Sequence, residues 1–192
     1  MIVDNGFERI RLENVEIKLK VSQSVNLASI ESAELSSRRV EQGDSVRLDV
    51  DILPFEGKKK TLAFDIPIPL SCKTGAADLL LFDADAYQMW EYSRARTRFR
   101  ANSFADVVDM LVEAPNHRQL LVVLAKRDQL TMRGREPLRE LPASAREVLS
   151  SAASSKALDK ANFEVLAKLA FDTEFNLSGG DKLRIEIKPK KY

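Results

Sequence analysis

His117 is the only imidazole in this chain and Cys72 the only thiol, and together they bound the chemistry one copy can perform. An ordinary zinc site needs several Cys or His ligands, so a single copy does not supply one. A lone cysteine also excludes an intrachain disulfide, which fits a reducing compartment but is also common among bacterial envelope proteins. His117 follows Pro115-Asn116, where the end of a helix would favour an imidazolium. As a general base it would need a nucleophile such as Ser93 or Ser103 and an orienting carboxylate. Neither serine has a recognisable nucleophile context, so His117 reads as a helix-end or loop residue. Cys72 stands beside Lys73, a neighbour that can favour a thiolate, yet a single Cys-Lys pair is too common to indicate catalysis.

Two groups of carboxylates have the oxygen chemistry for a hard cation. One is Asp83 and Asp85 with Asp78 nearby, the other Asp44, Asp49 and Asp51. Asp49 and Asp51 alternate outward along a strand pattern, and no full calcium-loop spacing is present. No metal or cofactor is therefore expected.

The densest charge run is Arg94, Arg96, Arg98 and Arg100, interleaved with Phe99 and preceded by Trp90 and Tyr92. Arginines beside stacking aromatics suit an anionic polymer or single-stranded nucleic acid. The competing reading, a solvated or internally paired face, is the one favoured. Lys+Arg at 30 against Asp+Glu at 29 gives no long-range attraction to nucleic acid. Gly43, Gly57, Gly179 and Gly180 match no phosphate-binding motif and read as turn residues.

The elements that must position these groups are mostly strands. Val46, Leu48, Val50 and Ile52 alternate with Arg47, Asp49 and Asp51, and Leu62, Phe64, Ile66 and Ile68 repeat the pattern after a charged turn. Period-two alternation predicts an antiparallel pair with one buried face. Val15, Ile17, Leu19 and Val21 alternate in the same way, predicting a strand over 13–21 that forms a hairpin with 25–35 across Ser22-Gln23-Ser24. Residues 79–82 and 119–126 predict strands buried on both faces. Ser103-Phe-Ala-Asp106 has N-cap spacing, and Phe104, Val107, Val108, Leu111 and Val112 predict an amphipathic helix that packs on its own sheet. A turn-rich connector over 130–142, a short helix over 144–149 and a Ser/Ala/Lys stretch over 150–156 follow. Two closing strands, 163–175 and 182–188, are expected to return to the second portion, although 163–170 also fits a helix.

With 44% hydrophobic and 31% charged residues, the chain has the balance of a globular protein. No apolar run approaches the length of a membrane span, and no signal peptide is visible at the N-terminus.

The run Val40-x-x-Gly43-Asp44-x-Val46-x-Leu48-x-Val50, leading into Leu53-Pro54-Phe55-Glu56-Gly57, resembles the region that follows the peptidase domain in bacterial envelope proteins of the SpoIVB-type serine peptidase family. The likeness is spread over most of the chain in the same order. It continues through Arg98-Phe99-Arg100, residues 119–124, Glu136-Pro137-Leu138 with Leu141-Pro142-Ala143-Ser144, and Gly179-Gly180-Asp181 before Leu183 and Ile185. Leu53 and Phe55 stand where the family pattern carries Arg and Tyr, residues 150–163 have no counterpart, and the catalytic motifs are absent. The resemblance implies a non-catalytic region of an exported protein, periplasmic or in the cell envelope, with an upstream peptidase domain or another protein as partner. Without that context a cytoplasmic location is expected.

These readings converge on a mainly β chain: an immunoglobulin-like β-sandwich over 1–82, then a small α+β portion over 83–192. The expected function is non-enzymatic surface recognition through an edge strand or the Arg94, Arg96, Arg98 and Arg100 face. The alternatives are binding of an anionic polymer by those arginines and a hydrolase using His117 with a serine or carboxylate.

Overall fold

Val46, Leu48, Val50 and Ile52 are at most 2% exposed, as the alternation requires. They lie on β3 (Ser45–Pro54), which pairs antiparallel with β4 (Lys60–Pro67) so that Leu48 faces Phe64 and Val46 faces Ile66. The computed structural model describes residues 6–11, 13–19, 21, 25–133, 136–138 and 158–190. The expected helix at 144–149 and the stretch 150–156 lie outside the described residues.

The fold is mainly β, with two sheets and two α-helices among the described residues. The first sheet has the order β4-β3-β1-β9, where β1 is Leu27–Leu35 and β9 is Asn176–Ser178. In the second, β2 (Arg39–Glu41), β10 (Gly180–Lys188), β5 (Gly75–Phe82) and β6 (Gln119–Arg133) lie side by side. β6 also pairs with β7 (Glu136–Leu138) and, along most of its length, with β8 (Leu158–Asp172). Pairing with β6 settles the helix-or-strand ambiguity of 163–170 in favour of strand. β6 and β7 also give the described part of the expected connector a sheet structure.

A shared core joins the sheets: Leu48 and Ile52 from the first pack with Leu79, Leu81, Leu120, Leu124 and Ile185 from the second. Burying these side chains contributes roughly 1.5–3 kcal/mol each. A second cluster lies on the opposite face of the second sheet, where Leu80, Leu121, Val123 and Ala125 meet Tyr87. The two clusters explain the unbroken apolar run in β6, whose alternate residues serve different layers.

Four expectations need correction. The closing strands do not return to the second portion alone: β9 pairs with β1, and β10 lies between β2 and β5. Residues 13–19 and 21 belong to neither sheet, so the hairpin expected with 25–35 does not form; β1 takes β3 and β9 as neighbours instead. Alternation specifies which face is apolar but not which strand covers it.

The third correction is α1 (Ala84–Arg94), capped by Asp83, where no helix was expected. Its buried face is Ala84, Tyr87, Glu91 and Arg94, and the ionic pair among them conceals the apolar periodicity. The fourth is α2 (Phe104–Val112). Its capping box forms as expected, Ser103 accepting from the Asp106 amide and Asp106 from the Ser103 amide. Only Val107 is buried, however, while Val108, Leu111 and Val112 are 39%, 42% and 79% exposed, so this helix does not turn its whole apolar stripe into the sheet.

Candidate functional site

The outer face of the second sheet is divided in two. α1 covers the half around Leu80, Leu121 and Val123. Beyond it a groove of about 390 Å³ is lined by Asp78, Lys126, Arg127, Lys182 and Arg184 with small apolar neighbours. Three adjacent strands supply these groups. Asp78 on β5 faces Arg184 on β10 on one side and Ala125 on β6 on the other. Lys182 and Arg184 share a face because side chains two apart in a strand point the same way.

Asp78 is 8% exposed. Lys182 Nζ lies 2.8 Å from its Oδ2, and Arg127 Nε lies 4.0 Å away. Lys126 Nζ donates to the Thr74 carbonyl at 3.1 Å. Arg184 makes no side-chain hydrogen bond or ion pair among the described residues. One nearly buried carboxylate therefore orders two of four surrounding cations, leaving the groove with excess positive charge. Such an arrangement can receive a carboxylate, sulfate or phosphate group. Sequence inspection missed it because Asp78, Arg127 and Arg184 come from three separate segments. The signal was present in the outward positions of 182–188 and in the two cations that end the apolar run at 120–125.

The arginine run divides. Arg94 is 7% exposed; its Nε donates to Glu91 Oε2 at 2.9 Å, and its guanidinium also reaches Glu91 Oε1 and the Phe163 carbonyl. Arg98 pairs with the same Glu91 and, at 3.5 Å, with Glu113. Arg96 and Arg100 remain exposed. Two members thus bind an internal carboxylate and two stay exposed, in keeping with the favoured reading of a solvated or internally paired face; without them a buried Glu91 would be left uncompensated.

Beside this network Tyr87, Glu91, Arg98 and Lys168 line a smaller pocket of about 280 Å³. Burial pushes the Tyr87 hydroxyl up to about 12, reinforced by the charge of Glu91. Burial would also raise Glu91, but hydrogen bonding and charge from Arg94, then charge from Arg98, leave it below the usual glutamate value. Partial desolvation lowers Lys168, whose Nζ sits 4.2 Å from the centre of the Tyr87 ring. Glu91 thus favours its ionised form and Tyr87 its protonated form near neutrality.

His117 is exposed, with Nδ1 3.9 Å from Asp85 Oδ2. Ser93 Oγ donates to the Trp90 carbonyl, and Ser103 Oγ accepts from the Asp106 amide. Neither hydroxyl bonds to His117 among the described residues. Cys72 is 3% exposed, and burial pushes its thiol up. Lys73 is paired with Glu164 at 2.7 Å, so its ammonium is engaged away from the thiol.

Most of the candidate carboxylates are likewise engaged. Asp83 caps α1, and Asp51 accepts from Lys59, Thr61 and Ser32. Those bonds, the one from Lys59 first, lower its pKa. Among the described residues no three His, Cys, Asp or Glu side chains gather as metal ligands, and no helix is long and apolar enough to cross a membrane. Comparison with known proteins gives no match to a family model, a curated protein or a solved structure.

Proposed function

We propose that this chain is a non-enzymatic recognition module that binds an anionic polymer through the groove around Asp78. The observation that carries this reading is the convergence of Lys126, Arg127, Lys182 and Arg184 on one nearly buried carboxylate. Asp78 holds Lys182 in place, while Arg184 keeps its donors for a ligand. A forked guanidinium suits a carboxylate or sulfate in bidentate geometry.

The test is titration of the protein with heparin oligosaccharides, peptidoglycan fragments and single-stranded DNA at several salt concentrations. At least one probe should bind with affinity that falls steeply as salt rises. Arg127→Ala with Arg184→Ala should weaken it tenfold or more, while Arg96→Ala with Arg100→Ala should change it little. Flat titrations for all three probes, or equal loss in both double variants, would overturn the reading.

The ordered motifs from Val40 to Ile185 support placing such a module after a peptidase domain in an exported bacterial protein of the SpoIVB type. The genomic reading frame tests this directly: a peptidase domain encoded upstream of Met1 is the expected result. The immunoglobulin-like form of the sandwich belongs to the same proposal, supported by two sheets sharing one core. The β3–β4 hairpin lies within one sheet, whereas consecutive strands B and C of that fold lie in opposite sheets.

A further inference from the structure

Val15, Ile17, Leu19 and Val21 form an alternating apolar row, yet they are 65%, 74%, 88% and 95% exposed. On the opposite side of the same segment, Lys18 Nζ lies 3.1 Å from Glu16 Oε1, the i, i+2 neighbourhood of an extended strand. The segment has one apolar face and one ionic face, but no strand beside it among the described residues.

The sandwich has a matching vacancy. β4 ends the first sheet, with β3 as its neighbour among the described residues. Its inward side chains Leu62 and Phe64 are only partly buried, and Phe64 meets Phe171 of β8 with ring centres 4.7 Å apart. Phe171 and Leu169, from the other sheet, are also partly buried. The seam between the sheets is therefore incompletely covered along this side.

We propose that the segment 13–21 of one copy adds as an antiparallel strand to the β4 edge of a second copy. One register places every apolar residue against an apolar partner: Val21 opposite Leu62, Leu19 opposite Phe64 and Ile17 opposite Ile66. The same register sets Lys18 opposite Asp65, two exposed residues of opposite charge. Shifting by one residue would turn the apolar row to solvent, so the pattern selects this family of registers. Addition of the strand gives the open edge its hydrogen bonds and covers the seam. A second copy is the occupant because each copy presents both halves of the contact, an exposed segment with strand alternation and an open edge, which is the condition for a reciprocal exchange.

Sedimentation velocity across a hundredfold range of concentration, with the full chain, tests the proposal. A concentration-dependent dimer is expected, and Ile17→Lys with Leu19→Lys should abolish it while leaving the circular dichroism of the dilute single copy unchanged, since both side chains are exposed there. Lys18→Cys with Asp65→Cys supplies the second measurement, also at exposed positions. Mild oxidation should yield a disulfide-linked dimer on a denaturing gel. A monomer at every concentration, a dimer unaffected by the lysine substitutions, or a crosslink formed only within one chain would each overturn it.

Discussion

Asp83 joins two parts of the chain that lie far apart in sequence: Oδ1 accepts the Ala86 amide at 2.7 Å and Oδ2 accepts the Gly179 amide at 2.6 Å. The first bond starts α1, and the second fixes the turn that leads into β10. The Asp83 amide donates in return to the Gly179 carbonyl at 3.0 Å. One side chain thereby sets the height of the helix against the sheet it covers.

Asp83→Ala removes both acceptors and should destabilise the fold by about 2 kcal/mol. Asp83→Asn keeps one carbonyl oxygen and should cost less. Urea denaturation followed by Trp90 fluorescence measures both, since Trp90 of α1 packs on Phe82 of β5 with ring centres 5.4 Å apart.

Glu91 and Arg94 form a nearly buried ion pair that Arg98 shares. Arg94→Ala leaves the nearly buried carboxylate with Arg98 as its remaining cationic partner and should cost about 3 kcal/mol. Replacing both members together, Glu91→Leu with Arg94→Met, should cost markedly less than the single change. If the double variant is the less stable, the desolvation argument fails.

The same carboxylate makes stability depend on pH. Its folded pKa lies below the ordinary value, so its ionised form stabilises the fold at any pH above the unfolded value of about 4.3. That contribution disappears as pH falls through the lower folded value. Melting temperatures of the parent and of Glu91→Gln should differ most near neutrality and converge in acid below pH 4. A constant difference between pH 7 and pH 3 would contradict this linkage.

Gly180 opens β10 directly against β5, and a Cβ built there would collide with the Leu81 carbonyl oxygen. Backbone cannot swing aside as a flexible side chain can. Gly180→Ala should therefore cost about 1–3 kcal/mol, with faster amide exchange at residues 79–82. By contrast Gly57→Ala, whose Cβ would meet only Pro54 at 3.9 Å, is strained through its positive φ of 140° and not through contact.

In the groove, Asp78→Asn removes the one negative charge among four cations. Binding of an anionic probe should tighten several-fold at low salt and the gain should shrink as salt screens it. Calorimetric titration with heparin oligosaccharides at 50 and 300 mM sodium chloride reads both effects. Weaker binding in the variant would show that Asp78 is needed chiefly to hold Lys182 at 2.8 Å.

The strands were legible where one face is buried against a regular partner. Val46 to Ile52 and Leu120 to Ala125 could be read because alternation and unbroken apolarity report directly on layers. α1 was hidden because Glu91 and Arg94 occupy its buried face, and their pairing depends on Arg98 and the Phe163 carbonyl. The groove was hidden for a similar reason: its charges meet only through the register of β10 with β5 and of β5 with β6. Conversely the conspicuous run from Arg94 to Arg100 owes its density partly to structural pairing. Charge density along a sequence reports number, while register and burial decide which charges a ligand can meet.

The placement of β10 between β2 and β5 also dictates an order of assembly. Residues 39–41 and 75–82 leave the ribosome long before 180–188, the segment that bridges them. Until synthesis reaches that point, β2 has no sheet to join and β5 exposes one edge. Completion of the second sheet is thus a late event in the life of the nascent chain, and its early strands are the ones that need shielding from unwanted pairing.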